Sequence, residues 1–117
     1  MSFVTAVMVD ASVPRGTDKG IRVHIVDEDG NDFDITDHTV TLRLAASWTE
    51  ESLLEKTAVV VNAGEGKCRF DFVPADTSDL MVRSYDCNII VKDNVTGEEW
   101  PAFIGKLAVA PAVPEEV

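Results

Sequence analysis

The stretch KCRFDFVPADTSDLMVRSYDCNIIVKDNVTGEEWPAFIGKLAV, residues 67–109, decides the fold. In the predicted strand at residues 67–73, apolar and polar residues alternate up to residue 72, and they alternate again over residues 85–91 with Ile90 as the exception. This is the period of 2 that a half-buried strand requires. A Pro-Ala-Asp-Thr corner (residues 74–77) separates these strands, and a Thr96-Gly97 turn leads into a last strand at residues 103–109. This order predicts the closing half of a small antiparallel sandwich.

The first half of the chain supplies the remaining strands. The predicted strands cover residues 3–9, 21–25, 40–44 and 58–61, and most are separated by Gly-rich or Asp-rich turns. The sequence therefore predicts an all-β, immunoglobulin-like antiparallel β-sandwich of about seven strands over residues 1–110, with a barrel as the main alternative. A Ser-x-x-Glu pattern at residues 47–50 favours one helical turn over residues 49–55. Two prolines predict an extended, Pro-rich C-terminal tail over residues 111–117.

Composition limits the classes of partner. The 117 residues suit a single domain, and 21 acidic against 10 basic residues give a formal charge of −11. This charge argues against nucleic acid and anionic membranes as partners, and leaves open a solvated acidic surface or a partner with a basic face. No apolar run approaches the roughly 20 residues that span a bilayer, and residues 1–9 are too short for a signal peptide, so we expect a cytoplasmic protein.

The densest cluster of oxygen ligands is Asp27-Glu28-Asp29-Gly30-Asn31-Asp32-Phe33-Asp34. Calcium is bound by such carboxylates, but aligning Gly30 with the glycine of an EF-hand loop puts Ile25 and Thr36 at the end positions. Asp-Gly and Gly-Asn pairs are also typical of turns with positive backbone angles. We predict a solvated turn, with a weak calcium site as the alternative, and no cofactor or metal is assigned.

Cysteines and histidines offer no reaction centre. Cys68 and Cys87 fall on the apolar faces of their strands, which favours two buried free thiols. Tyr85 precedes Cys87 by two residues, as in the tyrosine corner of immunoglobulin domains, but Cys68 comes too late to be the first cysteine of the disulfide found in those domains. His24 and His38 are expected at the surface, without a nucleophile spaced to suit them. The sequence therefore predicts no enzymatic activity.

Two groups of residues are candidate protein-interface positions. The N-terminal strand is apolar on both faces, so it is either central to the sandwich or completed by a neighbouring chain. Trp48 and Trp100 lie beside loops, where an aromatic side chain either anchors an interface or packs under its own loop. The candidate interface residues are Phe3, Val4, Val7, Met8, Trp48 and Trp100.

The order of turns and strands resembles the small immunoglobulin-like modules of phage tail and baseplate proteins, including the N-terminal domain of the baseplate upper protein family. One departure is the run from Leu80 to Arg83, where these modules usually place a glycine. The resemblance is carried by residues 20–23, 27–36, 40–44, 66–70, 75–77, 85–89, 96–97 and 105–109.

The resemblance implies a non-enzymatic virion protein made in a bacterial host cytoplasm. Its expected place is a tail, baseplate or capsid, and its expected partners are other virion proteins, with several copies in a symmetric homo-oligomer. An alternative function is a module that binds glycans or a cell surface, using Trp100 and the acidic turn with calcium.

Overall fold

Two β-sheets pack face to face in the computed structural model, which describes residues 4–8, 12–47 and 51–110. These residues contain nine strands, a one-turn helix and a short 3-10 turn. In chain order the elements are β1 (Val4–Met8), β2 (Ser12–Pro14), β3 (Lys19–Asp27), β4 (His38–Ala45), β5 (Leu54–Thr57), β6 (Val59–Asn62), the 3-10 turn (Ala63–Glu65), β7 (Lys67–Phe72), α1 (Pro74–Thr77), β8 (Arg83–Asp93) and β9 (Glu99–Ala110).

The strand order is that of an immunoglobulin-like domain. The first sheet runs β1-β3-β7-β6 and the second runs β2-β9-β8-β4-β5. In immunoglobulin letters these are the A-B-E-D sheet and the G-F-C sheet, the second extended at both edges. The predicted all-β sandwich is therefore confirmed, and the two separate sheets exclude the barrel. One pairing departs from the otherwise antiparallel arrangement, because the short strand β2 pairs with β9 in parallel.

Two of the strands were not expected from the sequence. The short strands β2 and β5 add to the seven predicted ones, and each lies at an edge of the second sheet. The helical turn predicted over residues 49–55 is wrong in its described part, because Leu54 begins β5. Residues 48–50 and the predicted tail at 111–117 lie outside the described residues. Within the described part of the chain, no helix is long and apolar enough to cross a membrane.

The predicted alternation places one face of each central strand in a common core. Ile21, Phe70, Leu42 and Ile89 come from four different strands, and each is 0% exposed. Fully burying such a side chain contributes about 1.5–3 kcal/mol relative to leaving it in water. The fold therefore rests on apolar contacts between the two sheets, and the polar residues of the same strands point outward.

The corner between β7 and β8 is closed by side chains. Pro74 occupies the start of α1, where a missing N–H costs nothing, and Asp76 accepts a hydrogen bond from the Val73 N–H at 2.9 Å. The buried Tyr85 hydroxyl donates to the Met81 carbonyl at 2.7 Å. This is the tyrosine corner that the sequence predicts, formed without a glycine between Leu80 and Arg83.

Replacing Tyr85 with Phe removes the hydroxyl and keeps the ring in the core. We expect the free energy of unfolding in urea to fall by about 0.5–1.5 kcal/mol, the net contribution of one hydrogen bond, with an unchanged denaturant slope. Thr5→Val is a control, because the exposed Thr5 hydroxyl has no hydrogen-bond partner within the described residues. Equal stability of Tyr85→Phe and the wild type would contradict the corner's role.

Both cysteines are buried free thiols, as predicted, and they lie in opposite sheets. Burial raises the pKa of Cys68 to about 11 and that of Cys87 to about 12, because the core does not solvate a thiolate. In the unfolded chain the same thiols titrate near 9.0. Between pH 9 and 11 the unfolded state therefore loses protons that the folded state keeps, and folding stability falls as pH rises.

This titration predicts a thiol-specific loss of stability in alkali. Under reducing conditions at pH 10, the wild type should lose about 1.4 kcal/mol per cysteine relative to pH 8. The variant Cys68→Ala/Cys87→Ala is less stable than the wild type at pH 8 but has no thiols to titrate. The difference in free energy of unfolding between the two proteins should therefore be smaller at pH 10 than at pH 8. Urea unfolding at both pH values measures this difference. A difference that stays constant would show that the thiols titrate alike in both states.

Candidate protein-docking face

Basic residues meet on the outer face of the first sheet. The antiparallel register of β3 and β7 places Arg22 directly opposite Arg69 and His24 directly opposite Lys67. All four occupy outward positions, because their neighbours Val23 and Cys68 point into the core. The chain has only 10 lysines and arginines, and the register of β3 and β7 places three of them and a histidine side by side on these two strands.

These residues line a groove on the sheet surface. The groove has a volume of about 430 Å³ and is bordered by Val61 of β6 as well as by the basic residues. We call it the basic groove and define it by Arg22, His24, Lys67, Arg69 and Val61.

Three of the four basic side chains have acidic partners. Arg69 donates to Asp71 through two nitrogens, at 2.7 and 3.2 Å. His24 Nε2 lies 2.7 Å from Asp32 Oδ1, and Lys67 Nζ lies 3.0 Å from Glu65 Oε1. Each of these carboxylates satisfies the basic group beside it, so a positive charge that is still open to a partner must come from the fourth side chain.

Arg22 is different from its neighbours. It is exposed, and it has no ion-pair or hydrogen-bond partner for its side chain among the described residues. It also faces Arg69 across the strands, and like charges placed directly opposite each other are unfavourable in a sheet. Arg22 therefore presents a positive charge that the rest of the described chain does not neutralise.

Apolar residues border the same face at both edges of the sheet. β6 is an edge strand whose four residues are all exposed, with Val59, Val60 and Val61 at 45%, 47% and 59%. β1 forms the other edge, and its Val7 is 52% exposed beside His24. An exposed edge strand with apolar side chains is a surface on which another chain can pair or pack.

The N-terminal strand is thus neither central nor unpaired. It pairs with β3 along one side and leaves its other side without a partner strand among the described residues. Val4 is buried in the sandwich's own core, Met8 packs partly against that core, and Val7 points outward. Phe3 lies outside the described residues. Of this predicted interface group, Val7 is the described residue most accessible to a partner.

The acidic stretch at residues 27–34 is a turn held by its own side chains. Asp27 Oδ1 accepts hydrogen bonds from the N–H groups of Asp29 and Asn31, at 2.9 and 3.0 Å. Gly30 has a φ of 85°, which a glycine adopts without strain. Among the described residues, no group of three or more His, Cys, Asp or Glu side chains converges to hold a metal ion.

Two further carboxylates extend the acidic character of this end of the sandwich. The Thr36 hydroxyl and N–H lower the pKa of Asp34, and the N–H groups of Val95 and Thr96 lower that of Asp93. Both groups stay ionised at neutral pH. Glu28 and Asp29 are exposed, and no ion-pair partner contacts either side chain in the part of the chain that the structure describes.

Trp100 packs beneath the loops at this end. Its ring is 6.5 Å from that of Phe33 and 6.0 Å from that of His38, measured between centroids. His38 is only partly at the surface: 13% of its side chain is exposed, and its ring also contacts Phe33 edge-on. His24 is more open, with 36% of its side chain exposed. Trp48 lies outside the described residues.

The basic groove was not predicted from the sequence. Arg22 and Arg69 occupy the polar positions of their predicted strands, so the alternation already placed both on outward faces. Only the register of β3 against β7 puts them opposite each other, and that register involves strands distant in sequence.

Comparison with known proteins supports the fold alone. No protein-family model matches the chain, and no curated protein matches it. Among solved structures, the crystal structure of the Lin-41 filamin domain is similar, with a TM-score of 0.50 and 16% sequence identity over 89% of this chain and 90% of that chain. A filamin domain is an immunoglobulin-like sandwich. The chain therefore has an immunoglobulin-like fold.

Proposed function

We propose that this chain is a non-enzymatic structural protein of a phage virion, a tail, baseplate or capsid-associated module that acts through protein–protein contacts. The observation that carries the proposal is the outer face of the first sheet, where exposed valines at both open edges flank the basic groove. Such a face offers a partner protein apolar surface to bury and charges that select the partner.

The state of the titratable groups also supports a non-enzymatic role. Both thiols are protonated in the core, so neither is a nucleophile at neutral pH. His38 Nδ1 bonds the Thr36 carbonyl at 2.8 Å, and His24 is paired with Asp32. No described histidine is therefore placed to activate a serine or cysteine.

The virion assignment rests on the resemblance of residues 20–110 to phage immunoglobulin-like modules. The tyrosine corner formed by Tyr85 and Met81 supports the immunoglobulin-like part of that resemblance, since it is a feature of immunoglobulin domains in general. The glycan-binding alternative depends on an exposed aromatic platform. Trp100 instead packs against Phe33 and His38, and no other observation favours glycan binding.

Mass spectrometry of purified particles tests the assignment. Phage particles from the producing strain would be banded in a density gradient, washed in high salt and digested. We expect peptides of this protein in the particle fractions at a constant ratio to the other structural proteins. A host cytosolic protein, measured in the same fractions, controls for carry-over. Recovery of the protein only in the unbanded lysate would contradict the proposal.

A further inference from the structure

Charge is segregated along the outer face of the first sheet. Moving along β3, the outward residues are Arg22, His24 and Val26, and the acidic turn follows directly. Val26 itself bridges to Asp32, so the turn folds back beside the groove. At about 3.3 Å per residue, Arg22 lies about 13 Å from Val26, after which the acidic turn begins. We call the end with Arg22 the basic half, where the ion pairs of the other cations leave Arg22 as the net charge, and the end with the turn the acidic half.

A face of this kind is complementary to a second copy of itself. Two such faces can meet about a two-fold axis that lies between them and runs perpendicular to β3. The strands of the two copies then run in opposite directions, and each basic half meets the other copy's acidic half. Such an interface is isologous, so each favourable contact occurs twice.

We propose that the basic groove receives the acidic turn, residues 27–32, of a second copy of this chain, forming a symmetric dimer through the outer faces of the first sheets. Arg22 supplies the cation that lacks a partner within the described chain, and Glu28 and Asp29 supply exposed carboxylates. Val7 and Val61, at opposite edges of the face, lose exposure to water in the dimer. Every copy thus carries both the cation and the carboxylates that the contact requires.

The size of the face sets the strength of the contact. Four strands about 4.8 Å apart, each presenting roughly six residues of length, cover about 400 Å² per copy. Stable complexes bury about 800 Å² per partner, so this contact belongs with the small, transient protein interfaces. Several copies in one particle would strengthen it through effective concentration. This inference rests on the proposed function and extends it by naming a partner and a surface.

Sedimentation equilibrium of the purified protein, at up to about 1 mM and physiological salt, measures the association. We expect a dimer that weakens as salt is raised, because its charged contacts are screened. Arg22→Glu should raise the dissociation constant at least about tenfold, since it sets like charges against each other twice. Lys92→Glu makes the same change of net charge on the second sheet and should alter it less than about twofold.

Mixing two defective variants tests the pairing itself. Asp29→Arg should weaken association as Arg22→Glu does, whereas Asp79→Arg, a control near the tyrosine corner, should not. In an equimolar mixture of Arg22→Glu and Asp29→Arg, the mixed dimer has one contact with both charges exchanged and a second contact that is wild type. Association should therefore return to within about threefold of the wild type. Circular dichroism and thermal midpoints check that every variant is folded.

Three outcomes overturn the inference: a monomeric wild type at every concentration, equal effects of Arg22→Glu and Lys92→Glu, or no recovery in the mixture. These outcomes are separate from those of the particle test. A monomer recovered from purified particles would remove the dimer and leave the proposed virion role. If the protein dimerises in solution but is absent from particles, the virion role is removed and the dimer stands.

Discussion

The burial of two apolar faces against each other is the constraint on which the rest of the structure depends. Side chains alternate along a strand, so once Val23 and Cys68 are fixed in the core, Arg22 and Arg69 must face water. A register shift of one residue would bury these cations and expose the core side chains, at a cost of many kcal/mol. The basic groove is thus held in register by the same packing that stabilises the fold.

Much of this architecture is predictable from the sequence because the alternation is local. The strands β7 and β8 were identified from their period of 2, which only Ile90 breaks in β8, and the tyrosine corner was identified from the position of Tyr85. β2 and β5 were missed for a physical reason. β2 has three residues and is defined by parallel pairing with β9, at the far end of the chain, which no local pattern reveals.

The candidate site was harder to predict than the fold, because its parts come from different strands and turns. The acidic stretch was identified as a turn from its sequence. In the structure the Asp27 carboxylate holds that turn by accepting hydrogen bonds from two backbone N–H groups. The packing of His38 and Trp100 depends on loops from distant parts of the sequence. In the same way, the placement of Arg22 opposite Arg69 depends on register, so sequence alone showed two exposed arginines and no groove.

The net charge of −11 does not by itself prevent two copies of the chain from associating. A uniform acidic surface would keep copies apart, yet at physiological salt the screening length is about 8 Å, so only nearby charges decide a contact. On the outer face of the first sheet those nearby charges have both signs. Asp71 already pairs with Arg69, so Arg22 is the charge on this face that carboxylates of another protein chain would meet. In the proposed dimer, the excess of acid elsewhere would keep the other faces of the two copies apart.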